Sequence, residues 1–156
     1  MLELLINNKR VINVDESWIN ETNFTRMMWC PSTSNSTIKL SAVTPRLALI
    51  AALDTNGQVY FALTQSNTDS DVLMLFMKHL MKQLDTEEHD WQSNTVFLLD
   101  GAKYHTSEEM REYFRKMKVQ VIYSGPYSYG AAPIELLFGA LKQGELNPER
   151  RPTGKR

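Results

Sequence analysis

Three acidic residues stand where a charged side chain needs a physical reason to be. Asp15 closes the run "RVINVD", Asp100 closes the apolar run "VFLLD", and Glu135 follows Pro133 and Ile134 in "PIELLFGALK". Val96 to Leu99 does not alternate in polarity, so it reads as a strand buried on both faces. A carboxylate at the end of such a strand is costly unless something pairs with it. If the strands ending at Asp15 and Asp100 are neighbours, their carboxylates lie side by side and repel, and a divalent cation relieves that repulsion. Glu135 lies one residue past core-facing Ile134, about 100° round a helix, and so overlooks the sheet edge. Carboxylates with water are the oxygen ligands that Mg²⁺ or Mn²⁺ accept. Two such ions can hold the attacking and the leaving oxygen of a phosphodiester. Spacing alone leaves plainer readings open. With eighteen acidic residues in the chain, Asp100 also suits a helix-preceding cap and Glu135 a first-turn charge favoured by the helix dipole.

The elements that must position these residues follow from periodicity. "RVINVD" predicts a strand over 10–15 that ends on Asp15. Residues 16–45 are polar and broken by Pro31 and Pro45, a long excursion with room for a short strand near "STIKLSAV". "RLALIAALDTNGQVYFALTQS" is two β-rich runs around Asn56-Gly57, a strong hairpin signal. "SDVLMLFMKHLMKQL" places Leu73, Phe76, Met77, Leu80 and Leu84 on one helical face. The "EEHD" run at 87–90 has metal-type side chains but reads as a solvated loop. After the Asp100 strand, Thr106 and Glu109 form a capping-box pattern before an apolar stripe of Met110, Tyr113, Phe114 and Met117. "VQVIYS" is a further strand, and Pro133 opens a last helix with Ile134, Leu137, Phe138 and Leu141 inward. That order predicts an α/β fold on a mixed sheet, antiparallel early and parallel late. Asp15 and Asp100 then fall at strand carboxyl ends, where open α/β sheets place ligand sites.

Composition narrows the function classes. The chain has 156 residues, 42% hydrophobic and 22% charged, as expected of one ordinary globular domain. A net charge of −1 excludes a whole-domain basic surface. Basic groups do gather in "ERRPTGKR", residues 149–156, which reads as a flexible tail or a backbone-contacting arm. Cys30 is the only cysteine, so no intramolecular disulfide forms, and it reads as a small buried hydrophobe. "MLELLINNKR" lacks the basic flank of a signal peptide, and "LALIAAL" is too short to span a bilayer. The expectation is a soluble intracellular protein with no membrane partner.

The wording around the three acids goes further than their spacing. "VINVDESW", "LLDGAKYHTS" and "YSGPYSYGAAPIELLFGALK" together resemble the DDE transposase domain of the mariner-like superfamily, including its bacterial insertion-sequence relatives. Asp15-Glu16-Ser17, Asp100 with Ala102 and His105, and Pro126-Tyr127-Ser128 with Pro133-Ile134-Glu135 match its motifs in order. Thirty-four residues lie between Asp100 and Glu135, the separation found in one large branch of that superfamily. The resemblance covers about residues 8–145 and implies an RNase H-like mixed five-stranded sheet with helices on both faces. It implies residues 1–148 as the catalytic domain, with Asp15, Asp100 and Glu135 as catalytic residues and ligands of Mg²⁺ or Mn²⁺, two ions in all. It further implies metal-dependent DNA cleavage and strand transfer on transposon ends and target DNA, by a homodimer. The setting would be the nucleus in a eukaryote and the cytoplasm otherwise. The chain departs from the family at Gly101, where asparagine is usual, and at Gly125, Tyr129-Gly130 and Ala131-Ala132. The family also carries helix-turn-helix modules ahead of this domain, whereas this sequence starts almost at the first catalytic strand.

Other residues have two readings each. His105, Lys103 and Lys142 suit a place behind the metal ligands or contact with DNA phosphates; the alternatives are helix-start packing for the histidine and ordinary solvation for the lysines. Glu16 follows Asp15 on a strand, so its side chain points to the opposite face, and it reads as structural. Trp18 and Trp29 flank the polar excursion, as pins for it or as stacking surfaces for DNA. Three functions fit: a DNA-cleaving and strand-transferring enzyme, a weak or inert co-opted transposase remnant that acts as a binding domain, and a related RNase H-like nuclease.

Overall fold

The computed structural model describes residues 9–19, 47–125 and 132–143. Cys30, Trp29, the possible strand near "STIKLSAV", the Pro126-Tyr127-Ser128 motif and the 149–156 tail lie outside the described residues. Five strands form one sheet: β1 (Arg10–Ile19), β2 (Leu47–Asp54), β3 (Val59–Thr64), β4 (Thr95–Leu99) and β5 (Gln120–Tyr123), in the order β3-β2-β1-β4-β5. β1 pairs antiparallel with β2, and β2 with β3, while β4 runs parallel to both β1 and β5. This is the mixed five-stranded, RNase H-like arrangement that the sequence resemblance implies.

Each strand's pattern follows from its place in the sheet. β4 is internal and buried throughout, so an unbroken apolar run suits it. β3 is an edge strand, and only its Tyr60 is fully buried. The β2–β3 hairpin turns where Asn56-Gly57 predicted it. Gly57 takes a φ of 80°, which favours glycine, and Asp54 Oδ1 accepts from the Asn56 and Gln58 amides at 2.8 and 2.9 Å.

Helices cover both faces. α1 (Ser70–Glu87) begins at Asp69, whose side chain accepts from the Val72 amide, and buries Leu73, Phe76, Met77, Leu80, Met81 and Leu84. α2 (Trp91–Asn94) is one turn that buries Trp91, with its indole N–H donated to Asp85 at 2.7 Å. α3 (Glu108–Lys116) buries Met110 and Phe114 beside α1, with Tyr113 and Met117 half-buried against the same core. These helices lie on the face that carries Ile12, Val14, Ile50, Phe97 and Leu99. On the opposite face α4 (Pro133–Gln143) seats Ile134 and Phe138 on Leu49 and Ala51. No helix of the described residues is long and apolar enough to cross a membrane.

Three expectations need correction. β1 does not stop at Asp15 but runs to Ile19, because β2 keeps pairing with it as far as Ile19↔Leu47. α3 is capped by Ser107, whose hydroxyl accepts from the Met110 amide at 3.3 Å, and not by Thr106. The Thr106 hydroxyl instead donates to the Ala102 carbonyl at 3.1 Å, closing the preceding turn. Glu87, in the run read as solvated, accepts from the Tyr60 hydroxyl at 2.8 Å and stands 3.4 Å from Arg10 Nη2.

That last contact belongs to a paired cluster at the amino end of β1. Arg10, 9% exposed, pairs with fully buried Asp54 at 2.7 Å and donates to Tyr60 and to Gln58. Removing one partner of a buried pair strands the other charge, which costs about 3–5 kcal/mol. Asp54→Ala should therefore lower unfolding free energy by about that amount in urea titrations, since the turn amides lose their acceptor as well.

Candidate active site

The acidic edge is built by register. The parallel pairing of β1 with β4 runs from Arg10↔Thr95 to Asn13↔Leu98. Two residues further along, the same register sets Asp15 level with Asp100. β4 ends at Leu99, so past that point β2 is the one described strand that pairs with β1. Asp15 is thus a mid-strand residue just past the last residue of β1 that pairs with β4. Side chains alternate along a strand, so Asp15 shares the α4 face with Asn13, and Glu16 takes the other.

α4 brings the third acid to that face. Asn13, only 5% exposed, accepts from the Ile134 amide at 3.2 Å and donates to the Leu98 carbonyl at 3.2 Å. It is a long-range cap: a side chain of β1 satisfies one orphan N–H of a helix 121 residues away. Ile134 packs inward beneath it, which leaves Glu135 exposed in the first turn. The negative charges of Glu16, Asp100 and Glu135 all act on Asp15. Burial first, and these charges with it, push the Asp15 carboxyl up to about 6, against the opposing hydrogen bond from the Glu16 amide.

Each of the two strand acids has one oxygen tethered to backbone. Asp15 Oδ1 accepts from the Glu16 amide at 2.8 Å, and Asp100 Oδ1 from the Ala102 amide at 2.9 Å. Among the described residues, their second oxygens have no hydrogen-bond partner. His105 lies behind Asp100 and is fully buried. Its Nδ1 rests against Asp100 Oδ1 as a close ion contact, not an aligned hydrogen bond. Its Nε2 faces Glu16 Oε1 at 3.0 Å and Oε2 at 3.2 Å. A carboxylate only accepts, so Nε2 carries the proton there. The Tyr104 hydroxyl donates to Glu16 Oε2 at 2.9 Å. Burial pulls the His105 pKa down, but the bond to Glu16 and the charges of Glu16 and Asp100 outweigh it and raise it. Burial and the Glu16 charge also push the Tyr104 hydroxyl up.

The sequence-predicted residues therefore divide. Asp15, Asp100 and Glu135 share one electrostatic neighbourhood. His105 offers no surface to a phosphate, because it is 0% exposed. Lys103 is exposed and Lys142 half-buried, and neither has an ion pair to an acid among the described residues. Sequence reasoning missed Asn13 and Tyr104 and undervalued Glu16. An asparagine inside an apolar strand, and a tyrosine beside a histidine, were the only signals.

The donor set suits a hard divalent cation in type: acceptor-only oxygens, crowded negative charge and one carboxyl with a raised pKa. It is not a closed cage. Among the described residues no group of three or more His, Cys, Asp or Glu side chains is gathered tightly enough to hold a metal by itself. Mg²⁺ commonly takes one or two carboxylates and fills its remaining positions with water and substrate phosphate. An open edge suits that habit. Gly101, beside Asp100, has no steric need to be glycine: a Cβ there would meet only the Ser124 carbonyl oxygen, at 3.8 Å.

Known structures share this architecture. A pre-cleavage Mos1 transpososome matches with a TM-score of 0.69 and 20% identity, over 90% of this chain and 45% of that one. The Mos1 mariner paired-end complex with Mn gives 0.68 and 20%, with the same coverage. The catalytic domain of Mos1 mariner transposase gives 0.64 and 20%, over 90% of this chain and 64% of that one. The chain thus spans less than half of the longer Mos1 chains, and at this identity the likeness speaks for the fold. No curated protein matches the sequence. The family model described as DDE superfamily endonuclease, however, matches residues 10–154. With nearly the whole chain matched, and the sheet and acidic edge in place, the protein belongs to the DDE superfamily endonucleases.

Proposed function

We propose that the acidic edge performs divalent-metal-dependent phosphodiester cleavage and strand transfer on DNA, with Asp15, Asp100 and Glu135 as the catalytic carboxylates and metal ligands. The observation that carries this reading is the convergence of the three acids. Asp15 lies on β1 and Asp100 just past the end of the parallel β4, a helix anchored on Asn13 carries Glu135, and the charges of Asp100 and Glu135 both act on Asp15. Bound there, Mg²⁺ or Mn²⁺ would supply Lewis-acid charge to the oxygens of a scissile phosphate and lower the pKa of a water or a DNA 3′-hydroxyl. The protein's own part is positional. The Ala102 and Glu16 amides fix one oxygen of each strand acid and leave the other free, and α4 sets Glu135 at the rim. Lys103, in the loop after Asp100, and Lys142, in the last turn of α4, would contact the phosphate backbone. Family membership and retention of all three acids favour an enzyme over an inert binding remnant.

The partner in this reading is DNA, as transposon ends and target. The Mos1 relatives were solved as a transpososome and as paired-end complexes, which supports a homodimer as the working form. Action on chromosomal DNA would put the protein in the nucleus of a eukaryote or the cytoplasm otherwise. Residues 1–148 would form the catalytic domain, and the basic residues of 149–156 would add sequence-independent, salt-sensitive affinity for the backbone.

Substitutions at the acids test the reading. Millimolar Mg²⁺ should raise the melting temperature of the wild-type chain, because an ion bound only by the folded state adds roughly 1–3 kcal/mol at tens of Kd or more. Asp100→Asn should abolish both that rise and any nicking of duplex DNA, yet leave the metal-free protein at least as stable. Identical metal responses in the two proteins would remove Asp100 from the ligand set.

Asp15 has a pH signature. Its folded-state pKa lies above the ordinary carboxylate value, so its ionised form opposes folding. The metal-free chain should lose stability as pH rises from about 4 through about 6. Asp15→Asn should flatten that slope, as thermal melts across the window would show. Asn13→Ala, which uncaps α4, should cost about 1 kcal/mol of stability and reduce nicking by a larger factor, because Glu135 loses its anchor. Single-turnover nicking beside urea titrations separates the two effects.

A further inference from the structure

The geometry points to Glu16 as a positioning residue for Asp100, acting through the buried ring of His105; this rests on the proposed role of Asp100 as a metal ligand. Glu16 is 8% exposed on the face opposite Asp15, where an unpaired carboxylate would be costly. It is held by two donors, the Tyr104 hydroxyl at 2.9 Å and His105 Nε2 at 3.0 Å. Fixing Nε2 fixes the rotation of the ring, and that rotation sets Nδ1 against Asp100 Oδ1. The Ala102 amide meets the same oxygen. Both restraints fall on Oδ1, so Oδ2 is the oxygen left for a cation.

The loop carrying these groups is itself pinned. Ser70 at the start of α1 donates its hydroxyl to the Tyr104 carbonyl at 3.4 Å, and the Tyr123 hydroxyl donates to the His105 carbonyl at 3.4 Å. The His105 and Tyr104 rings meet edge-on, with centroids 4.5 Å apart. The ring therefore has little freedom except through Glu16. A chain of contacts runs from one face of β1, round the open end of β4, to the acid on the other face. Outer partners of metal ligands typically change metal affinity or activity by about 10–100-fold.

The test uses the full chain and three readouts: the Ala102 amide resonance without metal, Mn²⁺ affinity by calorimetry, and the metal-free melting temperature. Glu16→Met keeps the length of the side chain but accepts nothing. It should shift the Ala102 amide, speed its exchange, and weaken Mn²⁺ binding by about 10–100-fold. Glu16→Gln still offers an oxygen to Nε2 and should recover most of both. Tyr104→Phe removes only the hydroxyl that steadies Glu16; it should give a smaller loss in the same direction, and it carries the test if Glu16→Met fails to fold. An unchanged Ala102 amide and unchanged Mn²⁺ affinity in Glu16→Met would overturn the inference, whatever happens to its melting temperature. Loss of stability alone would mark Glu16 as merely structural. If wild type and Asp100→Asn bind Mn²⁺ equally, the ligand reading of Asp100 fails, while the Ala102 resonance still judges the coupling between Glu16 and Asp100.

Discussion

Parallel pairing between β1 and β4 is the constraint on which the acidic edge depends. It aligns residues of two strands far apart in sequence at equal height, and it ends at Leu99 while β1 runs on to Ile19. The step between the two strand ends is where Asp15 and Asp100 lie. Because side-chain direction alternates along a strand, a slip of one residue would turn Asp15 to the opposite face. The buried, unbroken hydrophobicity of β4 and of Ile12 and Val14 on β1 holds that register, since a slip would expose core side chains.

Two groups of charges on β1 show how the same fold treats charge in opposite ways. At its amino end, Arg10, Asp54, Tyr60 and Glu87 form a mutually satisfied network, and the Asp54 carboxylate also accepts from the Asn56 and Gln58 turn amides. Such a network locks the hairpin against α1. Five residues along the strand, negative charge gathers with only the buried ring of His105 facing it among the described ion pairs. Asp15 stays ionised only against burial and its neighbours' fields, as its raised pKa records. Crowding of this kind, with a carboxyl held above its ordinary range, is common at functional sites.

The motif departures look different beside these contacts. Gly101 replaces the asparagine usual in the family, yet the backbone there does not require glycine. Asp100 is nevertheless steadied from behind by His105 and by the Ala102 amide. Support for the acid therefore comes from inside the sheet edge and does not depend on the residue at 101. Of the readings open for His105, burial leaves a place behind Asp100 and removes direct contact with DNA, and Glu16, expected to be structural, is its partner there.

Much of the architecture was legible in the amino-acid string because local periodicity and turn chemistry are local properties. The 3.6-residue stripe of α1, the unbroken apolar run of β4, the Asn56-Gly57 turn and Pro133 at the start of α4 each report on neighbours only a few residues away. Motif order likewise singled out Asp15, Asp100 and Glu135. What the string could not convey was pairing. The end of a strand depends on its neighbour, so β1 outran its predicted stop at Asp15 because β2 was there to accept its hydrogen bonds. One residue's difference in backbone geometry decided that Ser107, not Thr106, capped α3. Asn13 as the cap of α4, Arg10 against Asp54 and Glu16 behind His105 join residues between 44 and 121 positions apart. Such contacts exist only once the sheet has formed. The sequence alone determined which acids were available; their height, face and free oxygens were decided by tertiary structure, because only strand register turns distant residues into neighbours.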